Sequence, residues 1–302
     1  MARNCGSVQN YFRQVDIYPE LRRNQAMLQI QTSARRAGAA AFPHRIPVVV
    51  HILFRDDADN ITDEQVASQI EVLNEDFSGQ NDDRGNVPEQ FQPSVGVPGL
   101  EFFLAEQDPD GGPTSGITRQ STDTTEFAID DRMKATAGGG IDPWDTTRYL
   151  NIWVCRLSGG VLGYAQFPGG APDTDGVVIL SSAFGRNGSA RAPFDLGRTT
   201  THEVGHYLNL SHTWGEARVP TCDDTDFVDD TPTQLGPNFN KPTFPTTSCP
   251  KTPNGDMFMN YMDYVDDDSM YMFTGEQVIR MHAALEFSRM RLGTGFGAAV
   301  RA

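Results

Sequence analysis

The chain has 302 residues, 40 of them acidic and 24 basic, and a formal net charge of −16 at pH 7. This length can bury one large core, or two subdomains beside a cleft, without a second independent domain. The acidic balance argues against a nucleic-acid partner and favours cationic substrates or calcium, and no apolar run approaches the roughly 18 residues of a membrane span.

Residues 1–36 read as a separate segment that starts polar, continues through a helix predicted over residues 20–30, and ends in a small-residue run. That run contains Arg35 and Arg36, and flexible dibasic links are easily cut. We therefore interpret the segment as a candidate propeptide, with a solvated loop as the alternative. The first residues lack the apolar core of a signal peptide, so we expect either an export signal outside this sequence or no export by that route.

The next stretch predicts a sheet backed by a helix. A run rich in β-branched residues over 46–54 indicates a buried strand, within which His51 reads as a core residue. Thr62 offers a helix N-cap with Gln65 three residues later, and apolar residues then recur at helical spacing. Further strands are predicted over residues 100–106, 116–120, 149–155, 162–167 and 176–181.

Residues 159–165 mix glycine with apolar residues, which is typical of an edge strand that another backbone can approach closely. A peptide substrate could pair there by strand addition. An ordinary glycine-rich hairpin explains the composition equally well.

The most informative stretch is 199–212, where three histidines and one glutamate have the spacing of a metal site. On an α-helix, His202 and His206 share one face and can direct two nitrogens at one ion. Glu203 then lies beside the ion, where a general base can take a proton from a water molecule that the metal activates. A structural zinc site would not need this glutamate, and a helix with surface histidines is the remaining alternative.

The third histidine, His212, lies six residues beyond His206, so the chain must turn sharply between them. Asn209 stands at the bend, and asparagine is, after glycine, the residue that best tolerates the left-handed conformation of such a turn. The three histidines with Glu203 predict a catalytic zinc site.

A loop beyond His212 crowds five aspartates into residues 222–232, and their mutual repulsion favours a bound cation such as calcium. A solvated acidic loop is the alternative. Cys222 and Cys249 flank a segment rich in Asp, Pro and Thr with little regular periodicity, and we predict that they form a disulfide. Cys155 closes an apolar strand, where a buried free thiol is the ordinary explanation.

Residues 260–268 form an aromatic and methionine turn followed by three acids, and Thr274 with Gln277 predicts the capping box of a last helix. Together the elements predict an α/β (α+β) fold, in which a twisted mixed sheet with a backing helix and an active-site helix precedes an irregular part that ends in a helix. We divide it into an N-terminal catalytic subdomain, 37–209, and a C-terminal one, 210–302.

With its zinc motif and the turn from Asn260 to Tyr264, the chain resembles the metzincin zinc endopeptidases, and within them the ulilysin-like members of the pappalysin family. The likeness extends over nearly the whole chain and includes the loop 226–232, the strand 150–155 and the two loop cysteines. The chain departs from the usual pattern in carrying Asn209 where glycine is common.

The resemblance implies a metzincin-type fold in which Met262 forms an apolar floor below the three imidazoles. Tyr264 would bind the metal or stabilise the oxyanion of the intermediate. Cys5, followed by Gly6, is similar to the family's cysteine switch, in which a propeptide thiolate occupies the open zinc position and keeps the enzyme latent. A free N-terminal thiol without a role is the alternative.

The resemblance also implies the disulfide between Cys222 and Cys249 and a calcium ion in the acidic loop. The implied calcium ligands are Asp226, Asp229, Asp230 and Thr231.

The related enzymes look specific for arginine on the leaving-group side of the scissile bond, recognised by an acid after the methionine turn. Asp268 could supply that acid, with Asp266 and Asp267 as alternatives. The bond between Arg35 and Arg36 presents an arginine in the same position, so self-cleavage there would release residues 1–35.

The resulting hypothesis is a secreted or cell-surface zinc endopeptidase that acts on proteins or peptides, with calcium as a structural ion. We expect a monomer with no nucleic-acid partner and no membrane span. One alternative is a non-catalytic secreted protein that binds zinc and calcium. Another is a cytosolic metallohydrolase acting on smaller molecules, which would keep Cys222 and Cys249 reduced.

Overall fold

The computed structural model describes residues 2–35, 44–252 and 254–293. The chain begins with the helices α1 (Ser7–Ile17) and α2 (Glu20–Arg35). In chain order there follow β1 (His44–Phe54), α3 (Asp63–Ser78), β2 (Val95–Gly96), β3 (Leu100–Leu104), β4 (Ile117–Ser121), β5 (Leu150–Cys155), β6 (Gly163–Ala165), β7 (Val177–Leu180), α4 (Arg198–Tyr207), β8 (Phe239–Asn240), β9 (Tyr264–Val265), β10 (Phe273–Thr274) and α5 (Gly275–Phe287). Within the described ranges, no helix is both long and apolar enough to cross a membrane.

A mixed sheet forms the centre of the fold. Its strand order is β3-β1-β5-β7-β6, and β4 follows β3 along the same edge of the long strand β1. All neighbours pair in parallel except β6, which runs antiparallel to β7 and is the last strand of the path. The twisted mixed sheet predicted from the sequence is confirmed.

Both faces of the sheet are covered, which explains why its central strands read as continuous apolar runs. On one face, Val50 and Ile152 belong to a core cluster that includes residues of α3 and α4. On the other, Trp153 and Tyr164 pack with residues of the segment between β4 and β5, such as Met133.

Two helices begin at the predicted capping residues, but only α5 has a complete capping box. The Thr62 hydroxyl accepts a hydrogen bond from the Gln65 backbone N–H at 3.2 Å and begins α3. The Gln65 side chain is buried and donates to the Phe184 carbonyl at 2.8 Å. Thr274 and Gln277 form the complete capping box at the start of α5.

The part that follows α4 has little regular structure before α5. β8 pairs with β9, and β10 pairs with β2 from the N-terminal half. Cys222 and Cys249 form a disulfide that closes the acidic loop region, and Cys155 is a buried free thiol, both as predicted.

The N-terminal segment packs on the rest of the chain, and here the sequence prediction was incomplete. The helix α1 was missed because three of its four buried side chains are polar, Ser7, Asn10 and Gln14, so it lacks an apolar stripe. The predicted helix over 20–30 extends to Arg35, which was expected to lie in a flexible run. The Arg35 side chain is buried, and its Nε lies 2.8 Å from Glu286 Oε2.

Candidate active site

The helix α4 carries the first half of the zinc motif and is buried along its whole length. It ends after Tyr207, where Asn209 takes the predicted left-handed conformation with φ of 74°. The Leu210 N–H donates to the Gly205 carbonyl at 2.9 Å, which closes the turn. The bend brings His212 back towards the helix.

The three histidines converge as their spacing predicts. The His206 Nε2 atom lies 3.2 Å from His202 Nε2 and 3.1 Å from His212 Nε2. Cys5 joins them, since its Sγ and the three ring nitrogens all lie within 4.8 Å of one another. Three nitrogens and one sulfur in this arrangement match the donor set of a four-coordinate zinc ion.

Each imidazole is held through its other nitrogen. His202 Nδ1 lies 2.7 Å from the Tyr261 carbonyl, and His206 Nδ1 lies 2.7 Å from the Leu210 carbonyl. Carbonyls only accept hydrogen bonds, so Nδ1 carries the proton and Nε2 keeps its lone pair for a metal. Burial holds the pKa of His202 and of His206 well below the ordinary value, and a neutral imidazole is the form that ligates.

Glu203 lies beside the nitrogens and is 1% exposed. Burial raises the pKa of its carboxyl to about 7, against the effect of hydrogen bonds from Ser7 and Cys5. The Ser7 hydroxyl donates to Glu203 Oε2 at 2.7 Å, and the Cys5 thiol contacts the same oxygen at 3.4 Å. A carboxylate whose pKa lies near neutrality can both take and return a proton.

Met262 and Tyr264 lie next to the histidine cluster. Met262 is fully buried, and a Cβ atom at Gly205 would lie only 2.4 Å from its sulfur. The helix therefore needs glycine between its two histidines to pack on the methionine. The Tyr264 ring contacts the His202 and His212 rings, with centroid distances of 5.7 and 5.0 Å.

The N-terminal segment occupies the cleft along the edge strand β6. The Gly6 N–H donates to the Gly163 carbonyl and the Leu162 N–H donates to the Asn4 carbonyl, both at 2.9 Å. This pairing runs parallel to β6. The stretch 159–165 therefore contains an edge strand that another backbone approaches, and here that backbone belongs to the same chain.

Arg3 is buried next to this pairing. Its Nη2 lies 2.5 Å from Asp267 Oδ1, and the two side chains are 1% and 0% exposed. The guanidinium also donates to the Val265 carbonyl at 3.0 Å and to Thr199 Oγ1 at 3.2 Å, and it lies over the Phe194 ring. The buried Arg3 guanidinium thus has a carboxylate, a carbonyl, a hydroxyl and an aromatic ring as partners.

The structure places the preferred specificity residue, Asp268, outside this pocket. Its side chain is 46% exposed and pairs with Lys241 at the surface. Asp267 points inward because Leu196 and Arg198 donate their backbone N–H groups to its Oδ2. The sequence could not separate three successive acids, since Asp267–Ser269 form a short 3-10 helix, in which each step rotates the side chain by about a third of a turn.

Three of the four implied calcium ligands, Asp226, Asp229 and Thr231, line one cavity, whereas the fourth, Asp230, is held at the start of α5. Asp230 accepts hydrogen bonds from Thr274 and the Glu276 N–H at the start of α5. Asp226 is buried and accepts from Thr231 at 2.8 Å. Burial raises the pKa of the Asp226 carboxyl to about 7. Among the described residues, the cluster around Cys5 is the only group of three or more His, Cys, Asp or Glu with metal-ligand spacing.

Three further residues of the site escaped the sequence prediction: Arg3, Ser7 and Glu216. Arg3 and Ser7 lie two residues to either side of Cys5, so the switch motif was the available signal for them. Glu216 lies four residues after His212, a spacing that predicts contact only within a helix, and no helix is predicted over that stretch.

The sheet, the buried helix and the three-histidine centre together define a zinc metalloendopeptidase of the metzincin type. The profile of the peptidase family described as "Pregnancy-associated plasma protein-A" matches residues 140–286. The chain belongs to this family, the pappalysins.

Similar proteins support the assignment over most of the chain. An "Extracellular metalloprotease 1" of Coccidioides posadasii is 30% identical, covering 92% of this chain and 87% of the relative. An "Extracellular metalloprotease" of Verticillium alfalfae is 38% identical, covering 79% and 77%.

Two solved structures from Tannerella forsythia share the fold. Mature mirolysin in complex with a cleaved peptide has a TM-score of 0.81 and 47% identity, covering 85% of this chain and 97% of that one. A promirolysin mutant has a TM-score of 0.88 and 44% identity, covering 96% and 97%.

Proposed function

We propose that this chain is the latent form of a secreted, arginine-directed zinc endopeptidase. The observation that supports this most is the convergence of three histidine nitrogens with the Cys5 sulfur beside the buried Glu203. His202, His206 and His212 would hold zinc, which lowers the pKa of a water molecule and polarises a carbonyl.

The chain's own residues account for the proton transfers. Glu203 takes a proton from the attacking water and returns it to the leaving amine, because its carboxyl lies beside the histidine nitrogens that would hold the metal. The Tyr264 hydroxyl accepts from the Cys5 N–H at 3.3 Å and donates to the Cys5 carbonyl at 3.4 Å. Once the segment has left, the same hydroxyl can donate to the oxyanion of a bound substrate.

Arginine preference follows from the pocket that Arg3 fills. Its buried ion pair with Asp267 supports Asp267, in place of Asp268, as the residue that binds the arginine after the scissile bond. A substrate arginine there would form the same charge-assisted hydrogen bonds.

Residues 1–36 act as a propeptide in this proposal. Cys5 covers the metal position, the Ser7 hydroxyl donates to Glu203, and Arg3 fills the pocket proposed for the substrate arginine. A substrate therefore cannot bind until the segment leaves. The promirolysin structure covers 96% of this chain and the mature mirolysin structure 85%, which is consistent with this role. Cleavage at Arg35–Arg36 requires α2 to release Arg35 from Glu286, and Arg36 lies outside the described residues.

A structural calcium ion in the acidic loop is also part of the proposal. The loop borders a cavity of about 270 Å³ lined by Asp224, Asp226, Thr213 and other polar residues. Thr213 Oγ1 is buried there and lacks a hydrogen-bond partner among the described residues. Protein is first stripped with a calcium chelator, and adding calcium back should then raise its melting temperature. The Asp226→Asn variant should lose most of this increase.

The central experiment removes the general base. Glu203→Ala should lower casein digestion by about 10²- to 10⁴-fold, the usual effect of losing general acid–base catalysis, while zinc stays bound at wild-type stoichiometry. The control is Glu71→Ala, which changes an exposed glutamate on α3. Wild-type digestion in the Glu203→Ala variant would favour the alternative, a non-catalytic protein that binds zinc and calcium.

Activation is tested by mass spectrometry of the purified chain over time. A new N-terminus at Arg36 should form in the wild type and not in Glu203→Ala. Stable full-length wild-type protein in the presence of zinc would contradict self-cleavage at this bond.

A further inference from the structure

Among the three histidines, His212 has a distinct support. His202 and His206 belong to α4, and backbone carbonyls hold their Nδ1 atoms. His212 lies beyond the bend, outside the regular hydrogen bonding of the helix. Its ring orientation must therefore be fixed by contacts of its own.

Glu216 makes those contacts through both carboxylate oxygens. Oε2 lies 3.0 Å from His212 Nδ1, and Oε1 accepts the His212 backbone N–H at 3.0 Å. One carboxylate thus fixes the backbone of the residue and the rotation of its ring. The Glu216 side chain is 23% exposed, whereas that of His212 is 2% exposed.

A tight turn brings the two residues together. The Gly215 N–H donates to the His212 carbonyl at 2.8 Å, and Gly215 has a positive φ of 79°. Glycine adopts this conformation without steric cost, so the chain reverses and returns Glu216 to the histidine. The Trp214 ring stacks on the other side of the imidazole at 4.5 Å, nearly parallel to it.

We propose that Glu216 is the positioning residue for the third zinc ligand, and that it sets zinc affinity through His212. The inference rests on the proposed zinc site. A carboxylate that accepts from Nδ1–H fixes the tautomer with a free Nε2 and makes that nitrogen a better donor, an effect usually worth 10- to 100-fold in metal affinity.

The test uses the full-length chain carrying Glu203→Ala, which should not digest itself. Its zinc dissociation constant is measured by competition with a chromophoric chelator. Adding Glu216→Ala should weaken zinc binding by about 10- to 100-fold. The zinc affinity of Glu216→Gln should lie between those of the parent chain and Glu216→Ala, because the amide keeps one acceptor oxygen and loses the other. Glu71→Ala is the matched control and should leave zinc binding unchanged.

Two further readouts separate positioning from general support of the loop. The visible spectrum of the cobalt(II)-substituted protein should change in Glu216→Ala, because the third imidazole is no longer fixed. The melting temperature of metal-free Glu216→Ala should equal that of the metal-free Glu71→Ala control.

Zinc binding by Glu216→Ala as tight as that of Glu71→Ala would overturn the inference. So would equal zinc affinities for the Ala and Gln variants together with a matching fall in their metal-free melting temperatures. If the parent chain itself binds no zinc, the proposed function fails, and that outcome is distinct from either.

Discussion

At the scale of single residues, a missing side chain is as important to the site as a present one. Gly163 lies on the edge strand directly beside Glu203, and a Cβ atom there would be 2.9 Å from both Glu203 Cγ and the Val178 carbonyl oxygen. Neither neighbour has free space to move, since Glu203 is buried and Val178 belongs to β7. The glycine therefore fixes how closely β6 approaches Glu203.

We predict that Gly163→Ala lowers kcat of the activated enzyme by about 10²-fold, because a displacement of about 1 Å at a reacting group has that effect. Zinc content should not change, since the atoms nearest to the added Cβ belong to Glu203, Val178 and Ile179 and not to a histidine. The control is Gly85→Ala, where a Cβ atom meets nothing within 4 Å. Unchanged kcat in Gly163→Ala would mean that Glu203 tolerates the displacement.

The charge of Asp267 belongs to the same scale. Asp267→Asn should lower kcat/KM for a peptide with arginine after the scissile bond by about 10- to 100-fold, the cost of losing hydrogen bonds to a charged group. The amide oxygen can still accept from the Leu196 N–H, which preserves the local backbone. A methionine peptide should be affected much less.

Asp268→Asn is the matched variant, because Asp268 pairs at the surface with Lys241. It should retain the ratio of kcat/KM between the arginine and methionine peptides. An equal loss of that ratio in both variants would show that net charge around the cleft, and not the Asp267 pocket, selects arginine.

At the scale of elements, the site depends on how α5 holds the end of α4. Arg280 of α5 is buried and donates through Nε and Nη2 to the Asn209 carbonyl, at 3.2 and 3.1 Å. Its Nη1 donates to Gln29 of α2 at 2.7 Å. One guanidinium thus links the terminal helix α5, the bend at Asn209 and the helix α2.

We predict that Arg280→Met lowers the free energy of unfolding by about 1.5–3 kcal/mol, the range for hydrogen bonds to charged groups. Methionine keeps the apolar stem and removes the donors. Denaturant unfolding of chains that carry Glu203→Ala measures the change, with Arg132→Met at an exposed position as the control. Equal stability of the two variants would argue against the link between α5 and the bend.

At the scale of the whole molecule, the N-terminal segment covers the candidate active site. The three-histidine cluster, Glu203, Asp267 and the edge strand β6 each have a partner within residues 3–7. The two helices that follow anchor this short stretch, α1 beside β6 and α2 against α5.

The core sheet should make the fold sensitive to acid. His51 is fully buried between Thr118 and Asn151, and burial lowers its pKa to about 4 from an ordinary value of 6.5. A depressed pKa means that the folded state binds fewer protons than the unfolded chain between these values. The stabilisation is present above pH 6.5 and is lost as the pH falls towards 4.

Between pH 7 and pH 5, the wild type should therefore lose about 2 kcal/mol more unfolding free energy than His51→Gln, whose side chain does not titrate. Denaturant unfolding at the two pH values, in the Glu203→Ala background, measures the difference. Parallel losses in both proteins would mean that other groups cause the acid sensitivity.

The sequence by itself determined the features that depend on neighbouring residues. The zinc motif is a helical spacing of four followed by a bend that Asn209 permits, and Thr62 and Thr274 cap helices whose N–H groups lie within three residues. Strand positions followed from apolar runs long enough to be buried on both faces.

Only the tertiary structure decided which distant groups meet. Arg3 and Asp267 are 264 residues apart, and nothing local distinguishes Asp267 from Asp268 until the turn directs one inward and leaves the other in solvent. The helix α1 buries polar side chains, so its place depends on hydrogen bonds to β6 rather than on an apolar stripe. Such pairings form when the folded chain brings donors and acceptors together, and sequence spacing carries no record of them.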